Sequence, residues 1–108
     1  MPVRREKWNS DWGALSEATM RQRLEAEGYS VSRYVYPPGT CFPEHSHGVD
    51  KKDTVLEGRL RITSEGKEFI LEPGDIIEIP AQTPHTADVV GKEAVVSFDA
   101  TRPAKKGK

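Results

Sequence analysis

The sequence predicts an all-β fold, a barrel or sandwich of short strands preceded by one helix. Three observations carry this. From residue 29 onward the chain is a succession of short runs rich in β-branched and aromatic residues. Turn formers separate them: Pro37-Pro38-Gly39, Gly48, Gly58, Glu65-Gly66, Pro73-Gly74 and Gly91-Lys92. The only stretch that reads as a helix is 16–27, so the alternation of strand and helix expected of a βαβ fold is missing.

The elements follow in order. Residues 1–14 are polar apart from a few positions that include Trp8 and Trp12, and read either as a loose arm or as one that docks on a partner. Over 16–27, Ser16 supplies an N-cap and Gly28 a C′ residue. Glu17/Arg21, Arg21/Glu25 and Arg23/Glu27 are spaced as charge pairs on one helix, and Met20 and Leu24 give it a thin apolar stripe. Strands are expected over 29–36, 41–47, 53–56, 59–63, 67–71, 75–79, 85–89 and 93–98. Glu72-Pro73-Gly74-Asp75 has the proline and glycine of a type II turn. The chain therefore divides into an N-terminal arm and short helix (1–28), a β-barrel (29–100) and a disordered basic tail (101–108) carrying Lys105, Lys106 and Lys108.

Composition narrows the function. With 108 residues and a net charge of -1, both signs mixed throughout, the chain has no concentrated basic face for nucleic acid. No apolar run is long enough to span a membrane, and no h-region follows the first residues, so no signal peptide is expected. One cysteine forms no internal disulfide, which points to the cytoplasm. A hydrophobic content of 35% in so short a chain limits the core and favours a homodimer.

All three histidines fall in two stretches, 39–48 and 74–85. If the first is extended, His45 and His47 share a face, with Cα atoms roughly 6–7 Å apart. Two imidazoles at that spacing converge on one ion at about 2.0–2.1 Å. His85 completes the set if a second strand brings it alongside; otherwise the three are polar residues lining a pocket. Three neutral imidazoles suit Zn²⁺, Cu²⁺, Fe²⁺ or Ni²⁺ better than Mg²⁺ or Ca²⁺.

These two stretches resemble the paired motifs of the cupin superfamily. Gly39, His45, His47 and Gly58 fall on the first motif, and Gly74, Pro80 and His85 on the second. The resemblance implies a small conical antiparallel barrel, a jelly-roll-like double-stranded β-helix with the site inside, spanning roughly 31–98. The departures matter. The first motif's glutamate falls on Lys51, or on Lys52 with the longer spacing; the second motif's glycine is Gln82 and its asparagine Val89. The resemblance thus implies three metal ligands, His45, His47 and His85, and no fourth. It also implies that Lys51→Glu would restore a carboxylate and tighten metal binding. Small three-histidine dioxygenases of the superfamily, acting on thiols or β-diketones with ferrous iron, show that such a set suffices.

The expected function is a small-molecule-binding cupin with a transition-metal site, acting as a metal-dependent enzyme such as a dioxygenase or isomerase. The alternatives are a non-catalytic metal or ligand sensor and a metal-free structural barrel. Several neighbours carry two readings each. Lys51 is a solvated lysine in Asp50-Lys51-Lys52-Asp53, or points inward and meets an anion or acts as a base. Asp50 and Asp53 are substitute carboxylates, Asp53 sharing the parity of Lys51. Cys41 shares the parity of His45 and is expected as a small buried hydrophobe. Glu44 is expected to face out. Gln82 either offers an amide to a ligand or is exposed in its turn, and Tyr34 and Tyr36 share a packing face.

Overall fold

The computed structural model describes residues 3–104. Nine strands, one α-helix and a 3₁₀ turn at Ser10–Trp12 make up the described chain. The strands are β1 (Arg4–Glu6), β2 (Ser30–Tyr36), β3 (Cys41–His45), β4 (Val49–Thr54), β5 (Leu60–Ser64), β6 (Lys67–Leu71), β7 (Ile76–Ile79), β8 (His85–Val89) and β9 (Val95–Pro103); α1 spans Glu17–Ala26. They form two antiparallel sheets, ordered β1-β7-β4-β9-β2 and β3-β8-β5-β6. This is the all-β architecture that the turn spacing predicts, in the double-stranded β-helix form that the resemblance implies.

Alternation along the strands sorts side chains to the two faces of the five-stranded sheet. Ile77, Ile79 and Val95 point between the sheets and join Val55, Leu60, Ile62, Leu71, Ala87 and Val89 in the main core. Their neighbours Ile76, Phe98 and Ala100 point the other way and pack with Met20, Leu24 and Tyr29. The thin apolar stripe of α1 is therefore enough, because the helix covers the outer face of a sheet. Ser16 caps the helix, accepting from the Thr19 N–H at 3.1 Å while the Thr19 hydroxyl accepts from the Ser16 N–H at 2.9 Å. Glu17 turns away from the expected Arg21 pairing and meets Arg33 of β2 at 2.8 Å.

The structure corrects the expected segments in three places. The N-terminal arm does not wait for a partner: Arg4–Glu6 pairs antiparallel with Ile76–Glu78 and covers the edge of β7. Strand β4 begins at Val49, so Lys51 and Lys52 lie within a strand bracketed by β7 and β9. Strand β9 runs three residues past the expected barrel end, because Thr101, Arg102 and Pro103 find register partners in Lys51, Asp50 and Val49. Residues 105–108 of the predicted tail lie outside the described residues. None of the described helices is long and apolar enough to cross a membrane.

Candidate metal centre

The histidines are brought together by an irregularity that strand parity alone does not foresee. Phe42 pairs with Ala87 and His45 with His85, so three steps on β3 answer two on β8. The extra residue is a β-bulge at Pro43-Glu44, where proline has no N–H to offer the ladder. Phe42 and His45 thereby face the same cavity, while Cys41 is exposed. Cys41 is thus not the buried hydrophobe its parity suggests, since the bulge resets the faces between positions 42 and 45. Glu44 and Gln82 are exposed, and His47 lies just beyond the end of β3.

The two motif stretches are tied to each other. The Gln82 N–H donates to the His47 carbonyl at 2.7 Å, and the Ala81 N–H donates to Asp50 Oδ1 at 2.8 Å. Asp50 is therefore a loop clamp and not a substitute ligand. Gln82 has φ +66°, the left-handed conformation that glycine adopts without strain, which accounts for the glycine of the resembled motif at this position. The Ser64 hydroxyl donates to the Pro84 carbonyl at 2.7 Å, fixing the approach to His85.

Donor atoms of His45, His47 and His85 all lie within 4.8 Å of one another. An ion bound at about 2.1 Å holds nitrogens within about 4.2 Å, so only a small contraction separates this arrangement from a closed site. His45 Nδ1 lies 2.7 Å from the Pro43 carbonyl and His85 Nδ1 2.9 Å from the Thr83 carbonyl. A carbonyl only accepts, so both Nδ1 atoms carry the proton and both Nε2 atoms keep their lone pairs free. His47 Nε2 is buried with no hydrogen-bond partner. Burial, then Lys51 and the other two imidazoles, push the His47 pKa down to about 4. Burial first, with help from His45 and Lys51, also lowers that of His85. Both rings are neutral at pH 7, the form that ligates. The donor set fits a transition-metal ion.

The opposite wall of the cavity contains residues that the sequence left ambiguous or gave no reason to single out. Lys51 and Asp53 point inward, 7% exposed each, which corrects the reading of Lys51 as a solvated lysine. Lys51 Nζ lies 3.3 Å from Asp53 Oδ1 and 3.6 Å from Asp99 Oδ2. Burial pulls the Lys51 pKa down, but the two carboxylates outweigh it and hold the ammonium above its ordinary value. Asp99 was not a candidate; only the register Asp53↔Asp99 across β4 and β9 reveals it. The Tyr36 hydroxyl reaches Asp99 Oδ2 at 3.4 Å, and burial, with Asp99 and Asp53, raises its pKa. Lys51 cannot simply be exchanged for the motif's glutamate: Lys51→Glu would set three carboxylates together without the ammonium that compensates Asp53 and Asp99, so the variant would lose fold stability whatever it gained toward a cation.

Phe42, Leu60 and Ala87 supply the apolar lining of a cavity of about 230 Å³. Its lining suits a small, partly apolar ligand contacted by histidines and by carboxylates.

A family profile described as a cupin domain matches residues 32–100, and the chain belongs to the cupin family. It is 43% identical over 53 residues to quercetin 2,3-dioxygenase of Bacillus subtilis, a match covering 44% of this chain and only 14% of that protein. Among solved structures it superposes on acireductone dioxygenase from Bacillus anthracis, which carries a cadmium ion in its active centre, with a TM-score of 0.65 and 20% identity over 92% of this chain and 77% of the other. A protein of unknown function from Rhizobium leguminosarum gives a TM-score of 0.63 and 27% identity over 69% of this chain and 70% of that one. The protein is a cupin with a three-histidine cluster inside its barrel.

Proposed function

We propose that this cupin is a metal-dependent enzyme, of dioxygenase type, in which His45, His47 and His85 hold one divalent transition metal against a small organic substrate. The observation that carries the reading is the convergence, in one cavity, of two Nε2 atoms freed by Nδ1–carbonyl bonds and a third that is buried without a partner. Zinc, iron, nickel and copper all accept such a set, and the identity with a quercetin dioxygenase over 53 residues supports a redox metal. When bound, the metal supplies Lewis acidity or a redox couple for dioxygen and substrate. The chain's own residues do the rest. Phe42, Leu60 and Ala87 hold the apolar part of the ligand and keep water from it, and the imidazoles are fixed in one tautomer by the Pro43 and Thr83 carbonyls.

The reading includes a homodimer and a cytoplasmic setting. Tyr34 and Val35, exposed on the outer strand β2, support the first, and the lone cysteine supports the second. Dioxygen uptake by iron-loaded protein, with acetylacetone and catechol as probes, tests the activity. Consumption above that of His47→Ala is expected for at least one probe. Saturable binding without uptake would identify a sensing module instead.

A further inference from the structure

Among the described residues the two sheets leave four edge strands, β1 and β2 in one and β3 and β6 in the other. An exposed edge invites another chain to pair with it, and three of these four are guarded. Strand β1 has only three residues, two of them arginine; β3 is broken by the bulge at Pro43; β6 opens on Lys67-Glu68. Strand β2 has none of these devices. Its seven residues pair with β9 without interruption and contain neither proline nor lysine. They include Tyr34 and Val35, the exposed large hydrophobic side chains of the described residues. Its one charged side chain, Arg33, is folded back onto Glu17 of α1 at 2.8 and 3.1 Å.

The bonding of β9 shows which main-chain groups of this edge are unused. Val96 and Phe98 turn theirs away from β2, Val96 to Leu56 and Glu57 and Phe98 to the Thr54 hydroxyl. Val95, Ser97 and Asp99 therefore serve β2, and their register partners Tyr36, Tyr34 and Ser32 are used on β9. Val31, Arg33 and Val35 are left facing outward. The Val31 carbonyl is taken by Arg21 Nη1 at 3.3 Å. The outward N–H and C=O pairs left whole are those of Arg33 and Val35, a set complementary to itself.

We propose that a second copy of this chain pairs with β2, antiparallel about a two-fold axis at Tyr34, so that Arg33 of each copy exchanges both hydrogen bonds with Val35 of the other. The inference rests on the homodimer reading above and gives that dimer its surface and register. Neighbouring registers fail. An axis at Arg33 sets two guanidinium side chains opposite each other and needs the occupied Val31 carbonyl. An axis at Val35 sets Arg33 against Pro37, which has no N–H. With the axis at Tyr34, Pro37 falls opposite Val31, where the missing donor and the occupied carbonyl coincide. The two Tyr34 rings then meet on one face as a non-hydrogen-bonded pair, the closer kind. Both β2 edges are consumed, so assembly stops at two copies. Tyr34 stacks on Tyr36 with 5.9 Å between ring centroids, and Tyr36 meets Phe42 at 5.2 Å. Tyr36 and Phe42 line the histidine cavity, so the partner's Tyr34 extends an aromatic row that backs its wall.

Crosslinking tests surface and register together. In a Cys41→Ser background, Tyr34→Cys sets two thiols opposite each other with Cα atoms about 4.5 Å apart, within the span of a disulfide. Val35→Cys sets its two about 8–9 Å apart, beyond that span. Wild type is expected to sediment at twice the chain mass. With oxidised glutathione, Tyr34→Cys is expected to crosslink about tenfold faster than Val35→Cys, or more. Tyr34→Lys, which brings two ammonium groups together at the axis, is expected to dimerise about tenfold more weakly with its circular dichroism unchanged. A dimeric wild type with no preference for crosslinking at position 34 overturns the inference and leaves the homodimer standing. A dissociation constant unchanged in folded Tyr34→Lys does the same; if that variant loses its fold, the crosslink decides alone. A wild type that sediments at the chain mass overturns the inference and the homodimer together.

Discussion

Lys51 decides the character of the site. Register places Asp53 opposite Asp99 on one face of the sheet, an arrangement of like charges that is unfavourable by itself. One ammonium between them makes it tolerable, so removing that ammonium leaves two neighbouring carboxylates uncompensated. Lys51→Met is expected to destabilise the fold by about 3–5 kcal/mol in urea unfolding, and adding Asp53→Asn to recover part of the loss. A full loss in the double variant would show that Lys51 acts through packing alone. Asp53 also writes a pH signature. Its folded pKa of about 7 lies above the ordinary 3.8, so the folded state binds more protons through that window, and this group's contribution to stability is lost as pH rises across it. Asp53→Asn should therefore gain stability relative to wild type between about pH 4 and 7 and hold a constant difference above. A difference flat with pH would mean that Asp53 is ionised throughout. The run Asp50-Lys51-Lys52-Asp53 left two readings open, a solvated charge run or an inward Lys51 with Asp53 on the same face, and only β7 and β9 closing over it decide for the second.

Elements were legible where the cause was local. Strands β6 and β8 fall where the run-and-turn pattern puts them, and α1 lies between its cap and Gly28. Elements went astray where pairing is distant: β1 forms only because β7 has a free edge, and β9 lengthens because β4 offers partners. The bulge in β3 is intermediate, since Pro43 hints at it but only the pairing with β8 locates it. Gly58, the closing glycine of the first motif, is a further case. It has φ +80°, and a Cβ there would stand 2.5 Å from the Ala94 carbonyl oxygen. Gly58→Ala is expected to cost about 2–4 kcal/mol, from left-handed strain plus backbone overlap, with Zn²⁺ stoichiometry unchanged in the folded fraction. Thermal unfolding and metal analysis of the same sample check both halves; a neutral substitution would show that the turn relaxes freely.

For the whole molecule, the fold and the three histidines were readable because each rests on a strong short-range signal: glycine and proline turns, and a His-x-His beside a later histidine. The opposite wall of the cavity was not, because Phe42, Asp53 and Asp99 meet only through sheet register. Burial and the neighbouring Lys51 give the histidine cluster its pH behaviour. With the His47 pKa near 4, protons compete for that ligand only in distinctly acidic solution, so metal binding through it should persist below the ordinary histidine range. The central claim is that His45, His47 and His85 hold one ion. Anomalous diffraction from zinc-loaded crystals, collected at the zinc absorption edge, tests it most directly. The account predicts one peak per chain, about 2.0–2.2 Å from Nε2 of each of the three histidines. A barrel with no peak, or a peak lodged instead on the Asp53–Asp99 pair, would contradict it.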